Sequence, residues 1–420
     1  MAEEVTVRNT RESLVNVVLV VALLLLLPGV AASQETLRVF VTSVTGNGDL
    51  STWDNANALS GLAAADAVCR ARADIAFLDN PTQFVAWMSD SSNDAYCRIH
   101  GLSGLRSANC GEPHLPIYAG GWVRIDGLPF TGNIGDLVEP AEASAVLYPV
   151  LLNEFGNRAE AYYFTATDAD GELSGSSTVT CSEWAAADSQ MVACGSSTRT
   201  TWSWSFSGTS ACSASRALLC FEMGWVPTLP PYKNGGALAF VTSADWTGNL
   251  GSWPQAGGAT GLAAGDAICQ YLATDAGLEA PGSFLAWLSN STTDAIDRFS
   301  YDGPWIRVDG VKIADSRADL VDGELFSALN VKEDGKYLGN YGAWTGTSTS
   351  GLGTGDHCDG WTSADPATNG TRAVVNATGA NWTEKNAMQC SDGGMRLYCF
   401  SQIATVIFVD GFESGNTGAW

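Results

Sequence analysis

Apolar residues along this chain fall in short runs separated by Gly-, Ser- and Asn-containing stretches. Phe40-Val41-Thr42 and Phe240-Val241-Thr242 predict short strands. Ala-rich segments running to Cys69 and to Cys269 predict helices, with Ser60 and Thr260 as N-cap residues. In the later segment Ala264, Ile268 and Leu272 recur at i, i+4 and i+8, one face of a helix. Beyond each helix, short strands joined by Gly and Ser turns dominate, which predicts an α+β chain with few helices and many loops. One run has a different character. Arg8 and Arg11 precede the apolar stretch Val17–Leu27, then Pro28-Gly29 breaks it and Val30-Ala31-Ala32 offers small residues for cleavage. Residues 1–33 therefore predict a signal peptide cut near Ala32 or Ser33, although Glu3, Glu4 and Glu12 leave an uncleaved anchor as the alternative. The stretch is short for a bilayer span, and no later segment is long and apolar enough to cross a membrane.

The pattern occurs twice. Residues 38–98 align without a gap on 238–298. Phe40-Val41-Thr42-Ser43 returns as Phe240-Val241-Thr242-Ser243, Gly61-Leu62-Ala63-Ala64 as Gly261-Leu262-Ala263-Ala264, and Phe84, Ala86, Trp87 and Ser89 as Phe284, Ala286, Trp287 and Ser289. The register then slips: 24 positions separate Arg98 from Trp122, against 7 between Arg298 and Trp305, so the first copy carries 17 more. That insert holds Cys110 and follows Cys97, where the second copy has Asp297, which suggests a local Cys97–Cys110 staple. A period this long is too long for a solenoid, so each copy should close its own core. The copies are joined by 223–236, marked as a linker by Pro227, Pro230, Pro231 and Gly235-Gly236.

With 420 residues the chain has room for two domains. Its 45 acids against 21 bases give a net charge of −24, spread over both halves. With no basic stripe, nucleic acid, heparin-like polyanions and anionic lipid are poor partners. All eleven cysteines lie beyond the export signal, so an oxidising compartment and disulfide pairing are expected, with at least one thiol left over.

The second copy reads Phe284-Leu285-Ala286-Trp287-Leu288-Ser289, Asp294 to Arg298, Val308-Asp309-Gly310, Ala343-Trp344-Thr345-Gly346-Thr347, Cys358-Asp359-Gly360-Trp361, Cys390 and Arg396 to Phe400. This order resembles the endostatin domain of collagens and, more closely, a bacterial endostatin-like family of unknown function. The resemblance spans 238–402 and, more loosely, 38–222. It implies two tandem C-type-lectin-like (endostatin-like) domains, disulfide-stapled, at 37–222 and 237–402. It also implies nested bridges Cys269–Cys399 and Cys358–Cys390, matched in the first copy by Cys69–Cys220 and Cys181–Cys212. Cys194 has no counterpart and is the expected free thiol. The first copy departs from the family at Phe164-Thr165-Ala166-Thr167, where the second has Trp344-Thr345-Gly346-Thr347, so a function in that block should belong to the second copy alone.

Of the fifteen tryptophans, Trp87, Trp287, Trp122 and Trp305 sit in apolar blocks shared by both copies and are assigned to the core. Trp202, Trp204 and Trp382 lie in Ser/Thr/Asn-rich stretches and, with Trp344 and Trp361, are the candidates for an exposed ligand-binding surface. Asp168, Asp170 and Glu172 outline part of a calcium loop, although the second copy has Ser348, Ser350 and Leu352 there and a solvated turn explains the residues as well. His100, His114 and His357 have no zinc-ligand spacing. No nucleophile elbow, zinc-protease, P-loop or dinucleotide motif is present; the acid pair Asp356 and Asp359 could in principle do glycosidase work but reads as surface, so the chain is not expected to be an enzyme and a hydrolase is the weakest alternative. Asn290, Asn369, Asn376 and Asn381 match the glycosylation acceptor pattern. The tail, 403–420, falls outside the repeat and is similar to a tail of other secreted bacterial proteins, which suggests a sorting or surface-retention motif, with a frayed terminus or an extra edge strand as the alternative. The expectation is a secreted or cell-surface binding protein for an extracellular protein or glycan, with a structural envelope component as the alternative. The resemblance adds an adhesive role.

Overall fold

The computed structural model describes residues 36–138, 145–175, 179–227, 229 and 234–405. The signal-peptide reading at 1–33, linker positions 228 and 230–233, and tail residues 406–420 lie outside the described residues. The fold is mixed α+β. Its first half builds a five-stranded sheet in the spatial order Phe84–Ala86, Leu219–Glu222, Leu37–Val41, Trp122–Val123, Pro129–Thr131. The second half repeats that order with Phe284–Ala286, Tyr398–Thr405, Gly236–Val241, Trp305–Arg307 and Lys312–Ala314. In each sheet the first strand of the half lies antiparallel to its last strand and parallel to the strand that opens with Trp122 or Trp305. The chain thus closes each half by pairing its beginning with its end. Residues 403–405 are not a free tail: they continue the last strand, with Ala404 opposite Ala237 and Thr405 opposite Gly236.

One long helix packs on each sheet, Gly61–Ile75 and Gly261–Asp275. Ser60 and Thr260 occupy the N-cap positions, but neither hydroxyl caps the helix. Gly61 and Gly261 turn the chain at φ 59° and 60°, a conformation that glycine adopts at no steric cost. The apolar faces bury Ala64, Val68 and Cys69 in the first half and Ala264, Ile268 and Leu272 in the second.

Second, smaller sheets complete the halves: Tyr162–Phe164, Met191–Ser196 and Gly208–Ala211 in one, and Asn386–Gln389, Asn369–Val374, Gly342–Trp344 and Met395–Arg396 in the other. Four apolar clusters result, two drawn from each half and none shared.

Ten of the eleven cysteines pair. Cys69–Cys220 and Cys269–Cys399 tie each long helix to the last strand of its sheet, and Cys181–Cys212 and Cys358–Cys390 close shorter loops inside. Cys97–Cys110 closes the insert, and Cys194 is free and buried. In the chain-entropy picture the long bridges stabilise by roughly 5 kcal/mol each and the insert's bridge by roughly 3 kcal/mol. Glycine is needed beside the inner bridges. A Cβ on Gly48 would sit 2.7 Å from the Cys181 sulfur, and one on Gly248 would sit 2.3 Å from that of Cys358.

The Cys-x-x-Trp motif forms an unusual turn. Cys181, Ser182, Glu183 and Trp184 have φ of 50°, 54°, 56° and 63°, and Cys358 to Trp361 repeat the left-handed course with φ of 49°, 50°, 68° and 69°. The indole Nε1 of Trp184 donates to the Ser89 carbonyl at 2.9 Å, and that of Trp361 to the Ser289 carbonyl at 2.8 Å. Disulfide and indole together hold a backbone that L-residues otherwise disfavour.

Candidate functional site

The tryptophans chosen as surface candidates are mostly core. Trp204, Trp344, Trp361 and Trp382 are at most 1% exposed and cannot serve as stacking faces. The reason is energetic. Burying an indole removes on the order of 200 Å² from water, about 5 kcal/mol, which outweighs the polar character of the flanking sequence. Trp204 and Trp382 pack on Trp87 and Trp287, with ring centroids 4.8 and 5.3 Å apart. Trp87 and Trp287 donate in turn to Ser205 Oγ and Thr383 Oγ1. The Ser/Thr-rich setting is thus a set of hydrogen-bond partners for buried indoles. The block that differs between copies is also core: Phe164 and Trp344 are both fully buried, packed on Trp184 and Trp361. Its threonines are backbone fasteners, Thr165 donating to the carbonyl of Ser205 and Thr345 to that of Thr383. That block therefore offers no surface function to the second copy.

The Asp168–Glu172 loop closes on itself. Asp168 accepts from Ser174 Oγ and the Gly175 N–H, Asp170 accepts from the Glu172 N–H, and Arg106 stands 3.9 Å from Asp170 and 4.0 Å from Glu172. Burial and the nearby Asp170 and Asp94 charges raise the Glu172 carboxyl above its ordinary range. Among the described residues no three His, Cys, Asp or Glu side chains converge to hold a metal ion. His114 is exposed, while His100 and His357 hydrogen-bond within their own loops.

Trp202, the remaining candidate, is half-buried and leads to a site between the two halves. The halves meet through matched segments. Phe164 pairs with Cys194 and Trp344 with Arg372, so Thr198, Arg199 and Thr200 correspond to Asn376, Ala377 and Thr378. The N–H of Thr200 donates to the Asn376 carbonyl, and the N–H of Thr378 donates to the Thr198 carbonyl, both at 3.1 Å. Each of these bonds is the other with the halves exchanged, and Arg199 bridges Ala377 antiparallel between them. This is the self-complementary pattern of a two-fold interface, here inside one chain. Asn376 Nδ2 adds bonds to Thr201 Oγ1 at 3.2 Å and Ser203 Oγ at 3.1 Å, and Arg199 donates to Asn376 Oδ1 at 3.2 Å. Further out, the Lys312 N–H donates to Tyr148 Oη at 3.0 Å, Ser327 Oγ donates to the Leu147 carbonyl, and Arg158 pairs with Glu324 at 2.8 Å. Asn376, one of the four glycosylation sequons, is wholly buried in this joint and closed to modification in the folded chain.

Beside the joint opens a cleft of about 310 Å³. The first half contributes Tyr162, Arg199, Trp202 and Ser207, and the second contributes Asn340, Tyr341, Arg372 and Lys385. Three lining residues are cations and none is a carboxylate. Arg199 is partly desolvated by burial, which lowers its pKa, and the groups that act back on it are the phenols of Tyr162 and Tyr398. Arg372 Nε donates to Asn386 Oδ1, and Lys385 is exposed. Tyr162 and Tyr341 are themselves backed by Arg216 and Arg396, 5.8 and 4.8 Å from their ring centres, and Trp202 stacks on Phe206. Aside from Trp202, none of these residues stands out in the sequence: the cations lie far apart in a strongly acidic chain, and only the docking of one half on the other collects them.

Among the described residues no helix is long and apolar enough to cross a membrane. No protein-family model matches the chain, and no curated protein matches it either.

Proposed function

We propose that this chain is a secreted or cell-surface binding protein, built of two endostatin-like, C-type-lectin-like modules, that recognises an extracellular glycan or protein through the cleft between its halves. The observation that carries this reading is the cleft itself: a concave, polar, aromatic-rimmed pocket assembled from both halves and fixed by a two-fold joint. Five disulfides support an oxidising, extracellular setting. The order of the repeated blocks and the nesting of long and short bridges support the endostatin-like assignment. Asp356 and Asp359, the acid pair weighed for hydrolysis, are not among the residues of the cleft, which is lined by cations, aromatic rings, hydroxyls and an amide.

A screen of the mature chain against glycans and extracellular matrix and serum proteins tests this. Saturable binding that Trp202→Ala and Tyr341→Ala weaken together is the expected result. Silence across both panels would remove the binding reading and leave the structural envelope role.

A further inference from the structure

The cleft's charge runs against that of the molecule. In a chain of net −24, Arg199, Arg372 and Lys385 line one small cavity, and among the described residues none of the three forms an ion pair. Unpaired cations kept close in a partly desolvated pocket repel one another and gain stabilisation when an anion enters. The chain could have balanced them internally, since acids outnumber bases two to one, but it places no carboxylate in the wall. Guanidinium groups favour planar, bidentate anions such as carboxylates. The flat faces of Tyr162, Tyr341 and Trp202 suit a ring with apolar C–H faces, and Ser207 and Asn340 add hydroxyl and amide groups suited to hydroxyls. A volume of about 310 Å³ lies at the small end of ligand sites, enough for one sugar ring and too little for a folded chain segment.

We propose that the cleft binds a single carboxylate-bearing sugar residue, of the uronate or sialate type, with Arg199, Arg372 and Lys385 receiving the carboxylate and Tyr162, Tyr341 and Trp202 receiving the ring. This rests on the reading of the chain as a binding protein and specifies its ligand. The chain's net charge of −24 disfavours densely charged polyanions, so the site selects an isolated terminal acid. Two halves are required, because the cations come from both.

Calorimetric titration of the mature chain with D-glucuronate, N-acetylneuraminate, D-glucose and acetate tests the proposal, with Lys385→Gln and Arg372→Gln as variants. Lys385 is exposed and has no ion pair to lose, so its variant should keep the wild-type unfolding midpoint. The expected result is saturable binding of one or both acidic sugars, no binding of glucose, weaker binding of acetate, and about a tenfold or greater loss of affinity in each variant. Raised salt should weaken binding further. Absence of acidic-sugar binding, equal affinity for acetate, or unchanged affinity in both variants overturns the proposal. If a neutral glycan or a protein from the wider screen still binds in those variants, the anionic-sugar assignment falls while the binding role stands. If nothing binds at all, both fall.

Discussion

Cys194 is the thiol left over by pairing, and its surroundings make it inert. It is 2% exposed, its Sγ faces the Val192 carbonyl at 3.7 Å, and burial pushes its pKa up to about 12. The thiolate is the reactive form, so iodoacetamide at pH 8 should leave the native chain unmodified and label one site fully in urea, as read by mass spectrometry. Labelling of the native chain would show that the strand carrying Cys194 opens. His100 makes a second residue-level case. Its Nδ1 faces the Tyr96 carbonyl at 2.8 Å and its Nε2 accepts from the Ala119 N–H at 3.2 Å, a pair that fits only the neutral ring. Burial lowers its pKa below the usual 6.5, with the Tyr96 contact opposing. The unfolded chain therefore takes up the proton first. The His100 contribution to stability is complete above about pH 6.5 and is lost as pH falls from there toward the folded-state value. Urea midpoints at pH 7.5 and 5.5 should fall more for the wild type than for His100→Gln. Equal falls would show that the ring is not held neutral.

At the scale of elements, the left-handed Cys-x-x-Trp turn offers a comparison within one molecule. The third position is Glu183 in the first half, at φ 56°, and Gly360 in the second, at φ 68°. A left-handed conformation costs an L-residue about 1–2 kcal/mol, and glycine avoids it. Glu183→Gly should raise the stability of the first half by about 1 kcal/mol after the loss of its long 3.2 Å contact to the Ser91 N–H, measured by urea denaturation. A destabilised variant would show that the Glu183 carboxylate matters more than the backbone. Elements were legible in the sequence where period and repetition speak: the two helices, the opening strands, and the insert flanked by Cys97 and Cys110. The left-handed turn was not, because nothing in Cys-Ser-Glu-Trp signals positive φ without a glycine. The burial of Trp204, Trp344, Trp361 and Trp382 escaped for a related reason. The polar neighbours of Trp204 and Trp382 in sequence, Ser205 and Thr383, turn inward to accept from Trp87 and Trp287, while the rings of Trp204 and Trp382 pack on those two indoles, an arrangement only the fold reveals.

At the scale of the molecule, the joint rests on Asn376, which is fully buried and bonds to Arg199, Thr200, Thr201 and Ser203. Asn376→Ala strips those groups of a partner in a desolvated place and should cost about 1–3 kcal/mol. A lower urea midpoint with faster proteolysis at the 223–236 linker is the expected outcome. Unchanged values in both would show that the halves are held elsewhere. The cleft itself could not be read from the chain in advance, since Tyr162 and Lys385 become neighbours only once the halves dock. The covalent link between those halves has a further consequence. Two separate copies meeting about the same axis would have to offer every group twice or omit it, and their meeting place would vanish on dilution. Fused and diverged, they build one lopsided cleft per chain, whose walls stay together however dilute the chain becomes.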